Sequence, residues 1–196
     1  VLGAIAATTE RIRIGTGIAN AFTRAPLVHA TAAMDLDELS GGRMILGLGS
    51  GTRRMNEDWW GVPFAKPAAR MRELVEVIRA AFAAANGFGF RFTGQFWNLK
   101  IPVFMRPGAR PDLPIWVAAV NQPMLRSAGA VADGLVGHPI ATATAVPMAT
   151  AAKARARRAV SPWGTSRAVR VTRVPPGSRR RGRSRCTRAR RTALPA

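Results

Sequence analysis

LDELSGGRMILGLGSG, residues 36–51, holds in one run the end of a helix, a turn and a buried strand. Gly41-Gly42 stand where a helix C-terminus calls for glycine. Met44-Ile45-Leu46 then forms an unbroken apolar run, as expected of a parallel strand buried on both faces. Upstream, Pro26 suits a first helical turn, and Leu27, Ala30, Thr31 and Met34 fall on one face of the helix it starts. Before that helix, IRIGTGI at 12–18 reads as a further strand, which completes a β-α-β unit. Downstream, Met71, Leu74, Val75, Ile78 and Phe82 take the three-and-four spacing of a core-facing stripe, predicting a helix from about 67 to 85. Residues 88–99 read as a short excursion outside the main sheet, turning at Thr93-Gly94, and 102–114 as a proline-rich approach. Ile115–Ala119 makes a third buried strand, Pro123–Ala132 its helix, and Gly134–Val136 the start of a fourth strand. Such alternation predicts an α/β chain with a parallel sheet.

The net charge of +20 is unevenly placed. Residues 1–141 hold fifteen of the 30 basic side chains and all 10 acidic ones, so the other fifteen basic residues lie in 142–196 with no acid among them. The chain therefore divides into a folded segment, 1–141, and a basic low-complexity tail, 142–196, expected to be disordered. An Arg-rich arm would bind polyanions only non-specifically, since no aromatic ladder interleaves its arginines. Arg, Ala, Pro and Gly are also the residues that GC-rich codons specify, so an out-of-frame reading accounts for the tail equally. No apolar run reaches the ~18 residues of a membrane span. Val1–Ala7 lacks a basic leader and an initiating Met, which points to an internal start rather than a signal peptide. The lone Cys186 and the absence of a Cys/His cluster exclude a disulfide framework and a zinc site within the chain. A reducing cytoplasm is the expected compartment.

Two strand ends are rich in glycine, Gly15-Thr16-Gly17 and Gly47-Leu48-Gly49-Ser50-Gly51. In parallel sheets ligands gather beyond the carboxyl ends of strands, and glycine lets a flat ring or a phosphate approach the backbone. The second run is not the dinucleotide fingerprint, because Gly49 is not followed three residues later by glycine and the next helix starts well downstream. Tight turns alone would explain these glycines about as well. His29 reads as a packed or surface residue of its helix. His138, just after a strand, is the better candidate for a ligand contact. Trp59-Trp60 offer either a flat substrate wall or a cover for the helices. Glu57 and Asp58 suit a helix N-terminus, and Trp97 and Trp116 suit packing.

TTERIRIGTGIAN (8–20), LDELSGGRMILGLGSG, RMRELVEVIRAAF (70–82) and LPIWVAAVNQPMLRSAGAVADGLVGHP (113–139), in that order, resemble the luciferase-like monooxygenase superfamily. The likeness is greatest to its branch using the deazaflavin coenzyme F420. It spans residues 1–141 and implies a partial TIM (β/α)8 barrel here, with about four of the parallel strands. It further implies a flavin-type ring, coenzyme F420 or else FMN, across the carboxyl ends of the strands, and a small organic substrate. Members often have a non-prolyl cis peptide behind the ring, matching Gly17-Ile18. Gly49, Ser50, Gly51, Thr52 and Asn56 match the segment along one edge of the ring. Ala119, Val120 and Asn121 match the next strand's cofactor contacts, although Val120-Asn121-Gln122 replaces the usual Gly-rich turn. Gly137 and His138 match the approach to the phosphate, and Trp59 and Trp60 the substrate side. No catalytic acid or base and no metal is implied. Members are often homodimers. Hydride transfer is the implied reaction, with FMN-dependent oxygenation as its close alternative. An inactive fragment or a non-specific basic nucleic-acid binder remain as other readings, since an open half-barrel exposes edges and core.

Overall fold

A computed structural model describes residues 1–137 and the backbone of 169–173. The chain opens with α1 (Leu2–Thr8), a helix that the sequence reading left unassigned. Then follow β1 (Ile14–Gly15), β2 (Ala19–Asn20), α2 (Pro26–Leu39) and β3 (Met44–Gly49). A π-helical turn, Met55–Trp59, precedes α3 (Pro67–Ala84). The antiparallel strands β4 (Asn86–Thr93) and β5 (Asn98–Met105) come next, then β6 (Ile115–Ala118), α4 (Gln122–Val131), β7 (Gly134–Val136) and β8 (Val169–Arg173).

The main sheet is parallel in the order β1-β3-β6-β7, with β2 also on β3. This is the expected α/β arrangement of four successive barrel strands, because β1 and β2 act as one interrupted strand. Ile14 and Gly15 pair with Met44 and Ile45, whereas Ala19 and Asn20 pair with Leu48 and Gly49. The first strand thus carries one more residue than β3 across the gap, which is a bulge. The Thr16 hydroxyl fills the missing ladder positions: its Oγ1 donates to the Gly47 carbonyl at 2.6 Å and accepts from the Gly47 N–H at 2.9 Å.

Helix α3 forms where the apolar spacing predicts it. Met71, Leu74, Val75, Ile78 and Phe82 are all fully buried, and each such side chain contributes on the order of 1.5–3 kcal/mol. They share one core with Leu46 and Leu48 of β3, Ile115 and Val117 of β6, and Phe90 and Phe92 of β4. Burial is one-sided in β6, whereas in β3 only Ile45 falls short of full burial. Met44, Leu46, Ile115 and Val117 are buried under the helices, while Ile45 is half-buried and Trp116 is 37% exposed on the opposite face. The expectation of burial on both faces is corrected at Ile45, and Trp116, though partly exposed, packs its indole against Gly134, where a Cβ would collide with it.

The excursion is a hairpin packed on α3. Glu73 of α3 holds its tip, accepting the N–H groups of Gln95, Phe96 and Trp97 at 2.8–2.9 Å. The guanidinium of Arg70 lies over the Phe22 ring at 4.6 Å and the Trp97 ring at 5.6 Å. Strand β5 runs on to Met105 through Pro102, further than the proline-rich approach segment allowed. On the other side of β4 lies β8, antiparallel, inside the segment read as a structureless tail. VRVTR alternates over only four positions before Arg173 breaks the pattern, too short a run to stand out among the surrounding arginines. No helix among the described residues is long and apolar enough to cross a membrane, and no cluster among them could hold a metal ion.

Candidate functional site at the carboxyl ends of the strands

The two glycine-bearing ends lie side by side, since β1, β2 and β3 are parallel and in register. At Gly47 a Cβ would run into the Thr16 carbonyl, so the close approach of the two strands excludes a side chain there. At Gly49 a Cβ would sit 2.5 Å from Cγ1 of Ile18. The Ile18 side chain therefore rests against bare backbone at the end of β3. The peptide between Gly17 and Ile18 is cis.

Beyond these ends opens a hollow of about 930 Å³. Its floor is Ile18 with the run Gly49, Ser50, Gly51 and Thr52. One wall is Ala118 to Asn121 at the end of β6, continued by Pro123 and Met124 of α4. The other is Met55 and Phe64, with Lys66 to Ala69 at the start of α3. The volume falls within the range of small-molecule and cofactor sites, and the lining is mostly apolar with a few polar groups.

Of the residues singled out in the sequence, Ile18, Gly49, Ser50, Gly51, Thr52, Ala119, Val120 and Asn121 meet around this hollow. Gly17 is exposed beside Ile18. Asn56 does not line the hollow but holds its floor from behind. Fully buried, it donates from Nδ2 to the carbonyls of Ser50 and Thr52, both at 2.8 Å. Its backbone carbonyl receives the N–H of Val62 at 2.8 Å. The Asn121 side chain is engaged in capping α4, accepting the Met124 N–H at 3.0 Å. Trp59 and Trp60 do not form a wall of the hollow; they are 63% and 58% exposed. The π-helical turn that begins at Met55 presents Met55 to the hollow and carries Trp59 outward. Gly137 is exposed at the end of β7, and His138 lies outside the described residues.

His29 is 3% exposed in α2, and its Nε2 has no hydrogen-bond partner among the described residues. Burial, reinforced by the charge of Arg24, pushes its imidazole down from 6.5 to about 4, so at neutral pH it is an uncharged packing residue. Glu57 and Asp58 pair along the π-helical turn with Arg53 at 2.7 Å and Arg54 at 3.8 Å. Sequence reasoning did not single out nine of the lining residues, among them Met55, Phe64 and Lys66. Met55 and Phe64 carry no signal beyond their apolar character. Lys66, immediately before the Pro that starts α3, lies in the left-handed region with φ 46° and ψ 51°.

The sequence profile of the luciferase-like monooxygenase family matches residues 1–175. An uncharacterized protein of Mycobacterium tuberculosis is 38% identical over 172 residues, covering 83% of this chain and 51% of that protein. A phthiodiolone/phenolphthiodiolone dimycocerosates ketoreductase of Mycobacterium sp. is 40% identical over 136 residues, covering 68% of this chain and 35% of that enzyme. Among solved structures, the coenzyme F420 dependent tetrahydromethanopterin reductase from Methanopyrus kandleri superposes with a TM-score of 0.67 at 29% identity. That superposition covers 80% of this chain and 49% of the reductase. The chain thus spans about half the length of the first of these relatives. By a match that takes in both glycine-bearing strand ends and the whole wall of the hollow, the chain belongs to the luciferase-like monooxygenase family.

Proposed function

We propose that this chain carries the ring-binding part of an F420-dependent oxidoreductase, which transfers a hydride between the deazaflavin and a small organic substrate. The observation that carries the reading is the floor of the hollow. Ile18 and the side-chain-free backbone at Gly49 make a smooth ledge beside the polar groups of Ser50 and Thr52. A planar ring fits such a ledge, because a Cβ at Gly49 would displace Ile18. Coenzyme F420, when bound, supplies the hydride chemistry.

The chain's own residues do the rest. Gly49 to Thr52 and Ala119 to Asn121 hold the two edges of the ring, with Gly137 toward its phosphate; His138, read from the sequence in the same role, lies outside the described residues. Met55 and Phe64 exclude water from the side on which the substrate enters. Asn56 fixes the floor by tying the carbonyls of Ser50 and Thr52. No carboxylate or imidazole lines the hollow among the described residues, so these side chains contribute position and dryness rather than proton transfer. The cytoplasm suits a chain with one thiol, and the arginines beyond residue 173 are expected to bind polyanions only weakly and in a salt-sensitive way.

FMN-dependent oxygenation is the second reading, favoured by the monooxygenase character of the family profile. Fluorescence titration of the chain with F420 and with FMN separates the two. Saturable F420 binding, weakened by Gly49→Val, is the expected result. Tight FMN binding without F420 binding would transfer the case to the oxygenase, and no binding of either would leave the chain without the proposed activity.

A further inference from the structure

We infer that Lys66 is the anchor for an anionic group, phosphate or carboxylate, on the ligand that occupies the hollow; the inference deepens the reading above and rests on it for the ligand's identity. Lys66 is the one charged residue among those lining the hollow, and no carboxylate pairs with it among the described residues. The first turn of α3, which it precedes, carries no acidic residue. Lys66 is itself exposed, so its positive charge stands at the rim of a chamber whose other lining residues, among those described, are apolar or neutral.

The backbone at this position points the same way. Lys66 is the one non-glycine residue with positive φ among the described residues. Its side chain does not cap the helix, so capping gives no account of why a lysine rather than a glycine takes this conformation. A strained residue kept at the rim of a cavity directs attention to its side chain. The occupant that fits is an amphiphile, with a flat or apolar body against Ile18, Phe64 and Ala119 and one negative group at Lys66. Two sources supply that group: the cofactor's own phosphate, which would then lie on the α3 side of the hollow instead of toward Gly137, or an acidic substrate.

Matched ligand pairs tell them apart. The full chain, Lys66→Met, Lys66→Arg and Lys66→Gly are titrated with FMN, with riboflavin, which lacks the phosphate, and with 2-naphthoate on the bare and the riboflavin-loaded chain. If the anchor takes the cofactor, Lys66→Met weakens FMN by about tenfold or more while riboflavin is unchanged, and Lys66→Arg restores the difference. If it takes the substrate, the ratio of FMN to riboflavin affinity stays constant and naphthoate weakens by a similar factor. Lys66→Gly is expected to raise the melting temperature, because glycine relaxes the left-handed backbone, while losing the same affinity as Lys66→Met. Should neither flavin bind the unmodified chain, F420 and its phosphate-free deazaflavin chromophore replace FMN and riboflavin in the same comparison; should these fail too, the ring-binding reading fails and naphthoate on the bare chain alone judges Lys66. Unchanged affinity for every anion in Lys66→Met, no anion binding by the unmodified chain, or a lowered melting temperature in Lys66→Gly each overturns the anchor.

Discussion

The two ends of β3 follow opposite rules. At its start the chain is knotted by charge. Arg43 donates to the carbonyls of Ala6, Thr9, Ile12 and Ser40 and to the Thr9 hydroxyl, at 2.6–3.0 Å. Asp37 takes a forked pair of hydrogen bonds from Arg110 at 2.9 and 3.0 Å and receives the Met44 N–H at 3.2 Å. Arg106 with Asp35, and Arg79 with Asp133, close the same edge of the sheet. At the other end of β3 there are glycines, a hollow and no lining carboxylate among the described residues. One edge is built for stability and the other left open for a ligand, the division that parallel α/β barrels use.

The sharpest way to break this comparison is at the closed edge. Arg110→Ala strands the Asp37 carboxylate, whose side chain is only 7% exposed, and should cost about 4 kcal/mol in a urea unfolding experiment. Asp37→Asn combined with Arg110→Ala should recover part of that loss, because no uncompensated charge remains. Flavin affinity extrapolated to native conditions should not change in either variant. A large drop in affinity without loss of stability would mean the two edges are not separate in function.

Acid is expected to act from the open edge, where α2 starts. The His29 imidazole titrates near 6.5 in the unfolded chain and about 4 when buried, so between those values the unfolded state binds the extra proton. Its contribution is fully present above pH 6.5 and is lost as pH falls through 4, on the order of 3 kcal/mol in all. Melting curves of the wild-type chain and His29→Leu at pH 7 and pH 4.5 measure it. The variant should lose less stability over that interval, and identical slopes would place the acid sensitivity elsewhere.

What was legible in the sequence tracks these differences. Helix α3 was legible because burial on one face imposes a period, and strands β3 and β6 because burial leaves short unbroken apolar runs bounded by glycine or proline. The candidate site was legible at Gly49 to Gly51 as glycines at a strand end, a signal that tight turns share, and at Ile18 only through the resemblance to the family. The bulge at Thr16 was not, because a hydroxyl that stands in for ladder hydrogen bonds looks like any other threonine in a strand. Met55, Phe64 and Lys66 were not, because their direction depends on a π-helical turn and on one left-handed residue. Strand β8 was hidden because its alternation is only four residues long in a stretch dominated by arginine.

A smaller effect on stability, but a direct one on the ligand, is expected at Gly49. Gly49→Ala places a methyl group 2.5 Å from Ile18 Cγ1, and since that side chain has room to move into the hollow, the fold should lose only about 1 kcal/mol. The displaced Ile18 then takes the place proposed for the ring. Flavin or deazaflavin affinity should fall well beyond what stability loses, and Ile18→Ala in the same chain should restore part of it. Parallel losses of stability and affinity would instead make the glycine a packing device.

The smallest expected effect concerns the tryptophan pair. With 63% and 58% of their surfaces exposed, Trp59 and Trp60 bury little, and Trp59→Ser or Trp60→Ser should shift stability by no more than about 0.5 kcal/mol. Neither lines the hollow, so ring affinity should hold in both variants. A role in substrate recognition then predicts one particular split: binding of an aromatic substrate to the cofactor-loaded chain weakens in the serine variants while cofactor affinity stays fixed. If substrate binding also holds, the wall belongs to Met55 and Phe64, and the chain has spent two tryptophans on a surface with no part in the reaction.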